Sequence, residues 1–427
     1  MADKLGIYIH IPFCRSKCDY CDFYSLAGRD DRMDQYQKAL LSHIRETAPL
    51  AQDFPVDTIY IGGGTPSYYG AKRLKELLGV VHKLYKVEKD AEVTVECNPD
   101  SVDVKALKIL RKAGVNRLSM GMQSASACEL ERIHRIHTPQ QVDEAATAAR
   151  KAGFTNLSLD LIYGLPGQTM DSWKATVEHA LSLIPQHLSC YGLKVEEGTP
   201  LAARVAEGEV LPDDDQQADL YLWTVGRLER AGYPQYEISN FAKPGFASRH
   251  NLRYWLTQLH RFGPGAHSDF GGRRYSFVRD LDAYIQGVLQ GGDIIDESEL
   301  IPKRERCGEY LMLRLRTVQG INEQEYRSTY FMDFAPLQAR LEQFQAQGWA
   351  EQTDGRWHFT PQAFCCPTSS SAICWSARSR LTGKIWLPSP AMIISTKAVL
   401  DFSILLTFCT ILCPPCKIHC LLDILMV

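Results

Sequence analysis

The sequence predicts an α/β protein, a partial (βα)6 TIM-like barrel followed by a smaller α+β C-terminal domain. Three observations lead there. Short β-rich runs alternate with amphipathic stretches between Leu5 and Leu193. Glycine-rich and polar punctuation follows several of the strand candidates. The length of 427 residues exceeds what one hydrophobic core usually serves, so a second, smaller domain is expected.

The strand candidates are 6–11, 58–61, 92–97, 117–120, 157–162 and 187–193. Between them, stretches 35–47, 71–85, 104–113, 139–152 and 170–184 are long enough to be crossover helices that return the chain to a parallel neighbour. In barrels of this kind the chemistry sits beyond the C-terminal ends of the strands. Four polar loops fall there: Gly62-Gly63-Gly64-Thr65-Pro66, Glu96-Cys97-Asn98-Pro99, Gly121-Met122-Gln123-Ser124 and Tyr163-Gly164-Leu165-Pro166. Residues 213–231 read as one more helix, after which 233–276 is rich in aromatics, Gly and Pro with no clear period. A helical section over 303–347 ends in a strand pair within 349–360, turned at Thr353-Asp354-Gly355, as in a winged-helix module. The expected division is 1–230, 231–364 and an atypical tail, 365–427.

The tail contains no glutamate and seven of the fourteen cysteines. Two readings stand beside each other. Cys413, Cys416, His419 and Cys420 have the ligand types of a zinc or second cluster site. Alternatively the tail is not selected coding sequence, as after a shift of reading frame, because charge loss and cysteine excess begin at one point; this is the favoured reading. The stretch 398–412 is apolar, but it contains Asp401 and is short for a bilayer span.

Hydrophobic residues at 45%, charged residues at 23% and a net charge of -3 describe an ordinary globular surface and argue against nucleic acid as a partner. Met1-Ala2-Asp3-Lys4 leads directly into an apolar run, without the basic and apolar regions of a signal peptide, so a cytoplasmic location is expected. In a reducing compartment a tight cysteine cluster is read as metal-binding before it is read as disulfides. Cys14-Arg15-Ser16-Lys17-Cys18-Asp19-Tyr20-Cys21 is such a cluster, just beyond a strand. Its spacing lets three thiolates converge on three irons of a [4Fe-4S] cubane and leaves the fourth iron open to another ligand.

With these motifs in order, the chain from Tyr8 to about Leu193 resembles the radical S-adenosylmethionine superfamily. The resemblance implies a cluster on Cys14, Cys18 and Cys21 and S-adenosylmethionine on its open iron, cleaved there by one electron. It implies cofactor contacts from Tyr8, from the Gly62, Gly63, Gly64 and Thr65 loop, and from Glu96 and Gln123. Arg135 matches the partner of the methionine carboxylate and Asp160 a ribose or adenosyl contact. No side chain is assigned a catalytic role.

Within that superfamily the chain resembles oxygen-independent coproporphyrinogen III oxidases and their relatives as far as about Phe364. The oxidases carry a fourth cysteine where this chain has Phe23, and an N-terminal extension absent here. His250-Asn251-Leu252-Arg253-Tyr254-Trp255, followed by Gly263-Pro264-Gly265-Ala266-His267-Ser268, is similar to the HemW-type haem chaperone branch. The stretch 256–261 is more polar than that branch leads one to expect. The resemblance implies haem as a further ligand, with His250 as its candidate iron ligand. It implies haem or porphyrin, haemoprotein acceptors and an electron donor such as a flavodoxin or ferredoxin as partners, with membrane contact only through a haemoprotein acceptor. The alternative is an anaerobic coproporphyrinogen III oxidase.

Overall fold

The computed structural model describes residues 4–256 and 259–365. The tail residues Cys413, Cys416, His419 and Cys420 lie outside the described residues. The six expected strands are present as β1 (Leu5–Ile11), β2 (Pro55–Gly63), β3 (Lys86–Cys97), β4 (Arg117–Gln123), β5 (Asn156–Tyr163) and β6 (His187–Gly192). Each pairs in parallel with the next, in registers such as Ile9 with Ile61 and Leu118 with Leu157. The crossovers are α1 (Met33–Thr47), α2 (Ala71–Leu84), α3 (Val104–Lys112), α4 (Pro139–Lys151) and α5 (Met170–Ser182). Their starts are set locally: Thr138 with Gln141, and Thr169 with Ser172, form reciprocal capping boxes at α4 and α5.

Alternation along the strands sorts side chains between two environments. Leu5, Ile7, Ile9 and Ile11 join Ile59, Ile61, Val93, Val95 and Leu118 in the apolar layer beneath the helices. The intervening positions, including Tyr8, Tyr60, Thr94, Glu96, Arg117, Ser158 and Asp160, line the lumen. Parallel strands covered on both faces usually read as continuous apolar runs. Here the inner face is polar.

Residues 231–300, expected with the C-terminal region, largely extend the barrel instead. After α6 (Asp214–Arg230), the short β7 (Asn240–Ala242) pairs antiparallel with β6. The helix α7 (Arg249–Leu256) precedes β8 (Leu259–Phe262), which lies parallel to β1 with Arg261 opposite Tyr8. β9 (His267–Phe270), β10 (Arg273–Phe277) and β11 (Ile295–Leu300) continue antiparallel beyond it, with α8 (Leu281–Gln290) between the last two. Strands this short carry too few residues for a period of two to register, which is why 233–276 showed none.

The chain divides into one compact unit, 4–235 with 239–300, and a second, 236–238 with 301–365. The second holds α9 (Lys303–Arg314), α10 (Glu323–Tyr330), α11 (Ala335–Ala346), β12 (Ala350–Thr353) and β13 (Arg356–Phe359) around Leu311, Leu315, Tyr326, Phe334, Leu341 and Trp357. The expected strand pair is there. Asp354 and Gly355 both take positive φ, as a two-residue hairpin requires. No helix among the described residues is long and apolar enough to cross a membrane.

Arg261 tests the two-faced sheet. It is 1% exposed, its Nε and Nη2 have no hydrogen-bond partner among the described residues, and its guanidinium lies 5.5 and 4.8 Å from the ring centroids of Tyr8 and Tyr254. A buried charge with unmet donors destabilises, whereas an apolar residue of similar volume does not. Arg261→Leu is therefore expected to raise the thermal midpoint, while Ile9→Ala on the opposite face lowers stability by about 3 kcal/mol. Thermal and denaturant unfolding of both variants measures the contrast.

Candidate functional site

The cysteine loop leaves β1 and is tied down before any ligand enters. Phe13–Cys14 pairs with Leu26–Ala27, closing the loop at its base. The Gly64 and Thr65 amides donate to the Ile11 and Phe13 carbonyls, both at 2.8 Å, so the loops after β1 and β2 hold one another. A Cβ on Gly64 would lie 2.8 Å from the Phe13 carbonyl oxygen, so this approach needs a residue without a side chain. Each thiol then meets a polar group from a different place. Thr65 Oγ1 donates to Cys14 Sγ at 3.4 Å, Arg135 Nη1 donates to Cys18 Sγ at 3.5 Å, and Ser25 Oγ lies 3.9 Å from Cys21 Sγ.

Burial pushes the Cys14 thiol up, and the Cys18 charge adds to the shift; the same causes push Cys21 up to about 11. Such a pocket resists three free thiolates and favours them when a cationic metal core lies between them. Among the described residues no three His, Cys, Asp or Glu side chains gather around one point for a single ion. A cubane does not ask for that, because each thiolate takes a different iron.

Polar groups placed for a second ligand surround the cysteines. Arg135 Nη2 donates to Asn98 Oδ1 at 3.0 Å and to the Gly121 carbonyl at 2.9 Å, and Asn98 Nδ2 donates to Thr65 Oγ1 at 3.3 Å. Arg135 Nε and Gln123 Oε1 are buried without a partner among the described residues. Unmet buried groups of this kind mark a place where a polar ligand belongs. Glu96 accepts from Tyr60 Oη at 2.7 Å and from the Gly63 amide at 3.1 Å. Burial pushes its carboxyl up to about 7 against those two donors, and the nearby Asp160 charge adds to the rise. Asp160 accepts from Ser119 and Ser158, at 3.0 and 3.2 Å, and burial raises it too. Tyr8 lies deeper, its hydroxyl 3.1 Å from His10 Nδ1, while His10 Nε2 is 2.7 Å from the Tyr24 carbonyl. A carbonyl only accepts, so Nε2 carries the ring proton and Tyr8 donates to Nδ1.

The structure thus brings Cys14, Cys18, Cys21, Gly62, Gly63, Gly64, Thr65, Glu96, Gln123 and Arg135 to one mouth of the barrel, with Tyr8 and Asp160 lining the lumen below. It does not bring His250 there. His250 is fully buried at the N-terminal end of the barrel, with Nδ1 2.9 Å from Thr58 Oγ1 and its ring stacked on Tyr60 at 5.0 Å. Its Nε2 has no partner among the described residues. Burial, then the charge of Arg261, holds its pKa well below the ordinary histidine value. Glu92 accepts from the Arg249 and His250 amides, at 3.1 and 3.0 Å, and anchors the start of α7 across that end.

Sequence reasoning missed Asn98, although it lies in the flagged Glu-Cys-Asn-Pro loop. It also missed Tyr60, Thr58, Glu92 and Arg117, which sit inside apolar-looking strands and gave no signal.

A partial barrel with a Cys-x3-Cys-x2-Cys loop at its C-terminal mouth defines a radical S-adenosylmethionine protein, and residues 8–180 match the Radical SAM superfamily. Residues 301–365 match the HemN C-terminal domain. The chain is 38% identical to Heme chaperone HemW of Bacillus subtilis over 326 residues, 76% of this chain and 86% of the relative. It is 35% identical to Heme chaperone HemW of Escherichia coli over 359 residues, 83% and 94%. The chain belongs to the HemW family. Among solved structures it is similar to the Escherichia coli coproporphyrinogen III oxidase HemN, with a TM-score of 0.73, 24% identity and coverage of 84% and 87%, a likeness of fold.

Two outcomes follow from the site. Cys18→Ala removes one of three thiolates and also the acceptor of Arg135, so anaerobically reconstituted protein is expected to lose the cluster; iron and sulfide analysis with an absorbance spectrum checks this. For Glu96 the folded pKa, about 7, lies above the ordinary carboxyl value of 4.5. The proton is held more tightly in the folded state, so this group's contribution is full below about 4.5 and is lost as pH rises towards 7. Glu96→Gln should therefore raise the thermal midpoint of cofactor-free protein more at pH 8 than at pH 5. An offset of equal size at both pH values would contradict the shift.

Proposed function

We propose that this protein is a haem chaperone that holds a [4Fe-4S] cluster on Cys14, Cys18 and Cys21, binds S-adenosylmethionine beside it and passes haem to haemoproteins. The observation that carries this reading is family membership over most of the chain, joined to a mouth where three thiols and the unmet groups of Gln123 and Arg135 come together. A cluster held this way supplies one electron to a ligand on its open iron. The residues of the chain do the rest. Thr65 and Arg135 donate to two of the three sulfurs, the glycine loop lets the backbone come close, and Arg135 Nε is left for an anionic group such as a carboxylate. We place the protein in the cytoplasm, with a flavodoxin- or ferredoxin-like donor as its electron source.

Haem is cargo in this reading, and His250 is its candidate ligand on resemblance. As placed, His250 Nε2 is sealed in the lumen, so ligation requires α7 to move away from Thr58 and Glu92. Reconstituted protein is expected to bind haem and to leave coproporphyrinogen III unchanged; formation of protoporphyrinogen would overturn the chaperone reading in favour of the oxidase. His250→Ala is expected to shift the haem Soret band and weaken haem binding without altering the cluster spectrum. A haem titration with an unaltered Soret position and affinity would remove His250 from the ligand role.

A further inference from the structure

The C-terminal end of β4 departs from regular geometry. Its ladder to β5 shifts register between Gly121 and Gln123, and Gln123 stands at φ +61, in the left-handed region. For a residue with a Cβ that conformation is strained, so the surroundings must hold it. Two side chains from residues 133–137, the short segment that leads into α4, reach the strand end. Arg135 Nη2 donates to the Gly121 carbonyl at 2.9 Å, and His137 Nε2 bonds the next carbonyl, Met122 O, at 3.1 Å.

The two are not equivalent. Arg135 divides its guanidinium among Cys18, Asn98 and Gly121. His137 is 3% exposed and places its side-chain bond on Met122, where the register shifts. Because the acceptor is a carbonyl, Nε2 carries a proton, and burial, with the Arg135 charge beside it, lowers the ring's pKa to about 4 and keeps it neutral. Its Nδ1 is buried without a partner among the described residues. Immediately after Met122 comes Gln123, whose Oε1 is likewise buried and unmet.

We infer that His137 is a positioning residue: its Nε2–H bond to the Met122 carbonyl fixes the irregular end of β4 and so holds Gln123 in the conformation that presents its amide to the cofactor. The inference rests on the proposal that S-adenosylmethionine binds at this mouth. It separates what Arg135 does, touching sulfur directly, from what His137 does, which acts only through the backbone.

Three variants test it. In His137→Gln the side-chain amide nitrogen falls near the position of Nε2 and can still donate; His137→Asn is too short to reach; His137→Leu has no donor. All three should reconstitute with the iron content of the parent protein. Binding of S-adenosylmethionine, read from its perturbation of the reduced cluster's electron paramagnetic resonance signal, should weaken about tenfold in the Leu and Asn variants and stay within about twofold in the Gln variant. A crystal structure of the cofactor-free Asn or Leu variant should show Gln123 outside the left-handed region. Parental affinity in the Asn and Leu variants overturns the inference, and so does an equal loss in the Gln variant. Failure of the underlying reading looks different: the parent protein itself then gives no perturbation with S-adenosylmethionine, and the Gln123 backbone in the variant structure still decides whether His137 positions it.

Discussion

The polar inner face of the parallel sheet is the constraint on which the rest of the large unit depends. One face of each strand is settled by burial under the crossover helices. The other puts tyrosines, carboxylates and the buried guanidiniums of Arg117 and Arg261 into the lumen, away from bulk solvent. An open six-stranded barrel cannot leave such a surface bare at its base. β8 extends the sheet beside β1, and α7 closes the N-terminal end through Thr58 and Glu92. Only the C-terminal mouth remains for chemistry.

At that mouth the recurring tie is Arg135. It reaches sulfur at Cys18, backbone at Gly121 and the side chain of Asn98, which in turn donates to Thr65, the residue that touches Cys14. Segments after four different strands are therefore connected through one guanidinium and one amide. Burial alone would favour discharging Arg135, but the Cys18 and Tyr20 charges outweigh it and hold its pKa above the ordinary value. The same burial raises the Cys14 and Cys21 thiols and Glu96, so the pocket is electrostatically poised for a ligand bearing positive charge beside the sulfurs and negative charge beside Arg135.

The barrel separates two features that the sequence motifs alone would invite one to join. The cysteine loop and the His-Asn-x-x-Tyr-Trp helix both face the lumen, but from opposite ends, with Tyr8, Tyr60, Glu96 and Asp160 between them. His250 contributes to closing the base as described, through Thr58 and through stacking on Tyr60. A role for it as an iron ligand is a statement about a second conformation, in which the Glu92 and Thr58 contacts are broken.

The sequence by itself determined the alternation of strands and helices as far as residue 193, the hairpin at Asp354-Gly355 and the cysteine triad. Each of these is written in contiguous residues, as a period, a turn preference or a spacing. Only the tertiary structure decided the rest. That residues 231–300 join the barrel depends on β8 finding β1, a pairing across some 250 residues in strands too short to show a period. That Asn98, Thr58 and Glu92 matter depends on which side chain a distant segment delivers to them. His250's depth was undetermined for the same reason: a motif names a residue type, whereas its burial is set by non-local packing against β2 and β3.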